Sequence, residues 1–281
     1  MSARSSRAGA RLAVAVVAMV AVLVTAASAA AMPVYDNLPR ISSENKKLPK
    51  NMPSIGFEAT STSQFGGLVE FSAKSRGRSN PKVTFTLSDW ACQSGGGETC
   101  TSAKKSTWTW PVTVDIYEAG VGGSVGPLIA SKTETVTIPF RPSASAACAS
   151  EDPGGWYEPK TKECFHGLLK KYTFAFSGVT LPATEAIVAV AYNTQDHGAE
   201  PTGTPGPENS LNVGLTEVRT NGKGQKEGLP SVGGQPLPED VFVDSSWSEM
   251  YCEGATDIGS FGDSGACWSP YQPSFEVSAE K

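Results

Sequence analysis

The sequence predicts an all-β protein, an antiparallel β-sandwich of jelly-roll type with long disulfide-clipped loops. Three observations carry that expectation. Short segments alternate apolar and polar residues with period two, turn residues separate them throughout, and no capped apolar stripe of helical period occurs.

The segments are read in chain order. Residues 30–53 hold Pro33, Pro39, Pro49 and Pro53 among Asn and Lys, which predicts an extended lead-in skirting the domain. The sandwich proper is expected over 54–281. Ile55–Thr60 and Leu68–Ala73 open it. Val83, Phe85 and Leu87 then alternate with Thr84, Thr86 and Ser88, the pattern of a half-buried strand. Trp108, Trp110, Val112, Val114 and Ile116 alternate with Thr107, Thr109, Thr113 and Asp115. Pro111 inside that run predicts an edge or a bulge, because it has no N–H for the ladder. Thr133–Phe140, Tyr172–Val179, Ala186–Asn193, Leu211–Thr216 and Ser274–Ala279 complete the set. The phrases Gly56–Thr60 and Ser274–Ser278 echo one another and suit adjacent antiparallel strands of one sheet.

The N-terminus carries a second pattern. Arg4, Arg7 and Arg11 precede an apolar run over Leu12–Val24, followed by Ala27-Ser28-Ala29. A basic n-region, a short h-region and a small-x-small site make residues 1–29 a secretory signal peptide, with cleavage after Ala29 or after Ala31 fitting equally. No Arg-Arg pair is present, so the general secretory route is expected and the mature chain should be secreted. No later apolar run is long enough to anchor it, so no membrane insertion is expected after cleavage. Losing those three arginines takes the −5 of the full chain to −8, with no basic footprint for nucleic acid.

All six cysteines follow the leader: Cys92, Cys100, Cys148, Cys164, Cys252 and Cys267. An even count in an exported chain reads as disulfides. Fifteen connectivities are open to six cysteines; the three local couples favour Cys92–Cys100, Cys148–Cys164 and Cys252–Cys267. A zinc site is disfavoured, since there is no Cys-x-x-Cys and only His166 and His197 offer imidazoles.

Catalytic patterns were tested in turn. Gly262-Asp263-Ser264-Gly265 resembles the nucleophile segment of trypsin-like proteases, but Ala266-Cys267-Trp268 follows and no matching histidine segment lies upstream. The alternating strands and helices that carry the nucleophile elbow of α/β-hydrolases are absent from the sequence pattern. A glycosidase needs two carboxylates about 5–9.5 Å apart. The Glu-x-Asp-x-x-Glu spacing of jelly-roll glucanases occurs nowhere, which leaves only carboxylates brought together from separate strands. A structural calcium would draw on Asp240 and Asp244 or on Asp257 and Asp263, without any EF-hand pattern, so no metal or cofactor is expected.

Three insertions, 141–168, 195–209 and 217–240, are long enough to be functional. Aromatic residues near the cysteines supply the binding candidates: Trp156 and Tyr157 between Gly155 and Pro159, with Trp247 and Tyr251 beside Cys252. Rings held on rigid loops could stack on sugar faces. Trp108 and Trp110 are expected in the core, and Trp90 and Trp268 against their neighbouring disulfides.

Several phrases also carry a resemblance. Val34-Tyr35-Asp36-Asn37-Leu38-Pro39, Pro53-Ser54-Ile55-Gly56-Phe57-Glu58-Ala59-Thr60, Trp90-Ala91-Cys92-Gln93-Ser94-Gly95, Ile138-Pro139-Phe140-Arg141-Pro142-Ser143, Val190-Ala191-Tyr192-Asn193-Thr194 and Leu211-Asn212-Val213-Gly214-Leu215 look like those of an uncharacterised group of exported bacterial β-sandwich proteins. The resemblance covers nearly all of the mature chain. It implies an exported single domain and lends no catalytic residue. The expected function is an extracellular or wall-associated binding protein with polysaccharide as ligand. The alternative is a secreted polysaccharide-active hydrolase or lyase.

Overall fold

The computed structural model describes residues 30–40, 49–56, 63–74, 77–192, 211–220, 222–224, 226–237, 241–244, 261–263 and 270–281. The leader, Trp247, Tyr251 and the Cys252–Cys267 couple lie outside these residues.

Among the described residues seventeen strands succeed one another: β1 (Met32–Asp36), β2 (Ser54–Gly56), β3 (Ser63–Glu70), β4 (Ser79–Asp89), β5 (Thr107–Ala119) and β6 (Val125–Pro139) form the first part. Next come β7 (Trp156–Glu158), β8 (Glu163–Phe165), β9 (Leu168–Ala175), β10 (Glu185–Tyr192) and β11 (Leu211–Glu217). The last are β12 (Arg219–Thr220), β13 (Lys226–Glu227), β14 (Phe242–Asp244), β15 (Gly262–Asp263), β16 (Tyr271–Pro273) and β17 (Phe275–Glu280). Every pairing is antiparallel. One sheet runs β1-β17-β4-β11-β16, with β9 joining β4 and β2 joining β11; the other runs β15-β14-β3-β10-β5-β6. The expected all-β antiparallel class is what forms.

The alternation read from the sequence sets which face is buried. Val83, Phe85 and Leu87 of β4, with Phe275 and Val277 of β17, meet Phe65, Val112, Val114, Ile116, Val188 and Val190 of the six-stranded sheet in one core. Their partners in alternation, such as Thr113 and Asp115, point to the opposite face. Pro111 pairs with Thr135 of β6, whereas β10 reaches only as far as Thr113. Its missing N–H therefore falls where β5 has one neighbour, as expected. Trp108 is buried and Trp110 packs on the same core.

Three expectations are corrected. β1 is not a lead-in outside the sandwich: it pairs with β17, and Val34 and Tyr35 belong to the core. Gly56, the one described residue of the first echoing phrase, sits in β2 beside β11 and not beside β17, while Phe57–Thr60 lie outside the described residues. The insertion 141–168 has structure of its own, the β7–β8 hairpin. The short apolar content of β1 hid it, because a five-residue strand flanked by prolines reads as extended coil.

Cys92–Cys100 and Cys148–Cys164 are disulfide-bonded, with Cα atoms 5.5 and 5.8 Å apart. Two such bonds fit an oxidising, extracellular-type environment. Among the described residues no helix is long and apolar enough to cross a membrane.

Candidate functional site

A cleft of about 620 Å³ lies between the first strand's exit and the β12–β13 hairpin. Asp36–Arg40 and Pro49–Pro53 form one wall. Leu215–Glu217, Arg219 and Glu227–Leu229 form the other. The antiparallel pairing of Arg219 with Glu227 builds the hairpin and sets their side chains together.

Both arginines of the cleft are paired with carboxylates, which outnumber them. Arg40 bonds Asp36 and lies 3.9 Å from Glu276. Arg219 Nε donates to Glu227 at 2.9 Å, and its Nη1 is 3.8 Å from Glu217. Leu38, Pro39, Met52, Leu215 and Leu229 supply apolar surface between them. Beneath lies a buried polar layer. Asn37 donates to Pro273 O at 3.0 Å and accepts from Phe275 N at 2.7 Å, while Thr216 Oγ1 donates to Asn37 O at 2.9 Å. Gln272, fully buried, donates to the carbonyl of cleft-lining Gly228 at 3.2 Å, and its Oε1 has no partner among the described residues. Such an orphaned acceptor is uncommon in native interiors.

A disulfide-clipped shoulder borders this cleft. The Cys148–Cys164 bond closes a loop bearing the β7–β8 hairpin, and Lys50 bridges the two regions: its carbonyl accepts from Leu169 N, and its ammonium is 3.7 Å from Glu158. The shoulder thus fixes the wall on which Pro49, Asn51 and Met52 sit. His166 Nε2 lies 2.7 Å from Asp152 Oδ1, and the His166 ring stacks on Trp90 with centroids 5.4 Å apart.

The sequence-predicted aromatic contacts fare differently. Trp156 is 4% exposed, its indole N–H donates to Gly167 O at 3.0 Å, and its ring meets Phe165. It is a core side chain of the shoulder and not an exposed stacking platform. Its neighbour on β7 points the other way, as alternation demands, and Tyr157 is half-buried. Trp247 and Tyr251 lie outside the described residues. The Trp90 ring has His166 as its stacking partner.

A second polar cluster occupies the outward face of the six-stranded sheet. Asp115 of β5 is bonded to Gln64 of β3, and Gln64 exchanges contacts of 3.2 and 3.3 Å with Tyr117 Oη. Asp244 of β14 stands opposite Gln64 in register. Burial pushes the carboxyls of Asp115 and Asp244 upward, and hydrogen bonds from Ser131 and Gln64 partly offset this at Asp115. Phe261 packs against Tyr117 at 5.3 Å. No sequence spacing could have shown this pair, because β5 and β14 are separated in the chain and joined only through β10 and β3. Of the calcium candidates, Asp240 and Asp257 lie outside the described residues. Among the described residues no group of three His, Cys, Asp or Glu side chains could hold a metal.

Fold and clefts together define an all-β, disulfide-bonded protein of sandwich type. Comparison of the chain with protein-family models, with curated proteins and with solved structures finds no match.

Proposed function

We propose that the chain is an exported, non-catalytic binding protein of the extracellular space or cell wall, and that it seats a neutral polyhydroxylated ligand, a polysaccharide segment, in the cleft. The observation that carries this is the lining. Each arginine already stands against carboxylates, and Asp36, Glu217 and Glu227 outnumber Arg40 and Arg219, so the cleft presents oriented donors and acceptors with no spare cation for an anionic ligand. Pre-organised polar groups beside apolar surface suit hydroxyls and sugar faces better than a free anion. The basic, apolar leader and the two disulfides support export.

The test is a glycan array with a pull-down on insoluble polysaccharides. Wild-type protein should be retained on a neutral glycan, and Arg219→Ala should weaken retention about tenfold or more, the loss of one charge-assisted contact. Arg219 is largely exposed, so its melting temperature should stay unchanged. Retention undiminished in Arg219→Ala would move the ligand off this cleft, and no retention on any glycan would remove the proposal.

A polysaccharide-active enzyme is favoured by one separate observation, the Asp115 and Asp244 carboxyls on the outward sheet face. A glycosidase acid needs a carboxyl kept protonated by its surroundings. The same glycans, assayed for new reducing ends, separate the two. Accumulation that stops in Asp115→Asn would favour the enzyme, and none in wild type would leave the binding protein.

A further inference from the structure

The geometry points to Cys92–Cys100 as an exchange-competent disulfide that takes small thiols of the glutathione class, with Cys92 as the stabilised leaving thiolate. Arg141 is the reason. It is 2% exposed and sits where the two clipped loops meet. Its Nη1 donates to Gly154 O at 2.8 Å, its Nη2 reaches Gly97 O at 3.4 Å, and its Nε lies 3.3 Å from Cys92 Sγ. A guanidinium held against a sulfur favours the thiolate over the thiol. The Asp89 carboxyl, fully buried, is raised by burial and lowered in turn by hydrogen bonds from Trp108 and Ala91 and by the Arg141 charge.

A thiolate attacks Cys100 Sγ, the Cys92–Cys100 bond breaks, and its electron pair leaves on Cys92 Sγ beside Arg141. A second thiol then attacks the reductant's sulfur in the mixed disulfide, releasing the Cys100 thiolate and the oxidised reductant. The closed loop is short and glycine-rich, with Gly95 and Gly97 at positive φ and most of Gln93–Thr99 exposed. Opening it uncovers Cys100 without disturbing either sheet.

Cys148–Cys164 supplies an internal control. Cys164 is half-buried whereas Cys100 is 3% exposed, so access alone predicts that Cys148–Cys164 is reduced first. Equilibration removes access from the comparison. The full-length folded protein is held in glutathione buffers of graded reducing strength, quenched by alkylation, and each cysteine quantified by mass spectrometry. Cys92–Cys100 should be half-reduced in a buffer about tenfold less reducing than Cys148–Cys164 requires. Arg141→Met should move its midpoint about tenfold toward stronger reduction and leave Cys148–Cys164 in place. The inference is overturned if Cys148–Cys164 is reduced in the milder buffer, if both go together, or if Arg141→Met leaves the midpoint of Cys92–Cys100 unmoved. Should Arg141→Met fail to fold, the wild-type order decides alone.

Discussion

Gly167 shows how tightly single residues are specified near the cleft. A Cβ built there would lie 2.0 Å from Ser88 Oγ, 2.8 Å from Trp90 Nε1 and 2.9 Å from Asn51 Oδ1, while the Gly167 carbonyl accepts from Trp156. Three side chains from β4 and the cleft wall close on one backbone atom. Gly167→Ala should therefore cost about 1–3 kcal/mol through overpacking, read as a fall in urea midpoint with unchanged m-value. Stability equal to wild type would mean that the shoulder yields at this point. Trp156 was visible in the sequence as an aromatic on a clipped loop. Its burial was not, because only the approach of Gly167 and Phe165 supplies its partners.

Among the elements, β1 makes the sharpest contrast between pattern and place. Its side chains Val34 and Tyr35 are buried, and it covers the edge of β17. A chain beginning at Leu38 should lose about 3–6 kcal/mol from those two side chains alone. It should also self-associate through the bared β17 edge. Chemical denaturation and sedimentation would measure both, and a stable monomer would contradict the assigned pairing. Other elements were legible because their alternation is long. β4 and β5 show period two over enough residues to fix their inward faces. β6 was read only from Thr133 onward, whereas it begins at Val125. Its first half lies only partly buried at the sheet edge, too shallow to impose a clean alternation.

Across the whole molecule, buried carboxyls set a pH dependence of definite sign. Burial raises Asp89, Asp115 and Asp244 above the ordinary carboxyl range. Their folded pKa values then exceed the unfolded ones, so the folded state holds more protons just above pH 4. This contribution is greatest in acid and declines as pH rises through the folded values. The urea midpoint should accordingly lose ground as pH rises above about 4, the unfolded carboxyl value. Asp89→Asn should flatten that decline, at some cost in acid because Asp89 accepts from both Trp108 Nε1 and Ala91 N. An unchanged slope would show that Asp89 does not carry the effect.

The sequence by itself determined the all-β class, the inward faces of the long strands and two local disulfides. Each rests on contacts between chain neighbours or on periodicity, both of which survive in one dimension. Tertiary structure alone decided which strands adjoin, that Trp156 turns inward, and that Asp36, Arg40, Arg219 and Glu227 share a cleft. The physical reason is distance along the chain: Asp36 of β1 bridges to Val232, which follows β13, and no spacing rule connects the two.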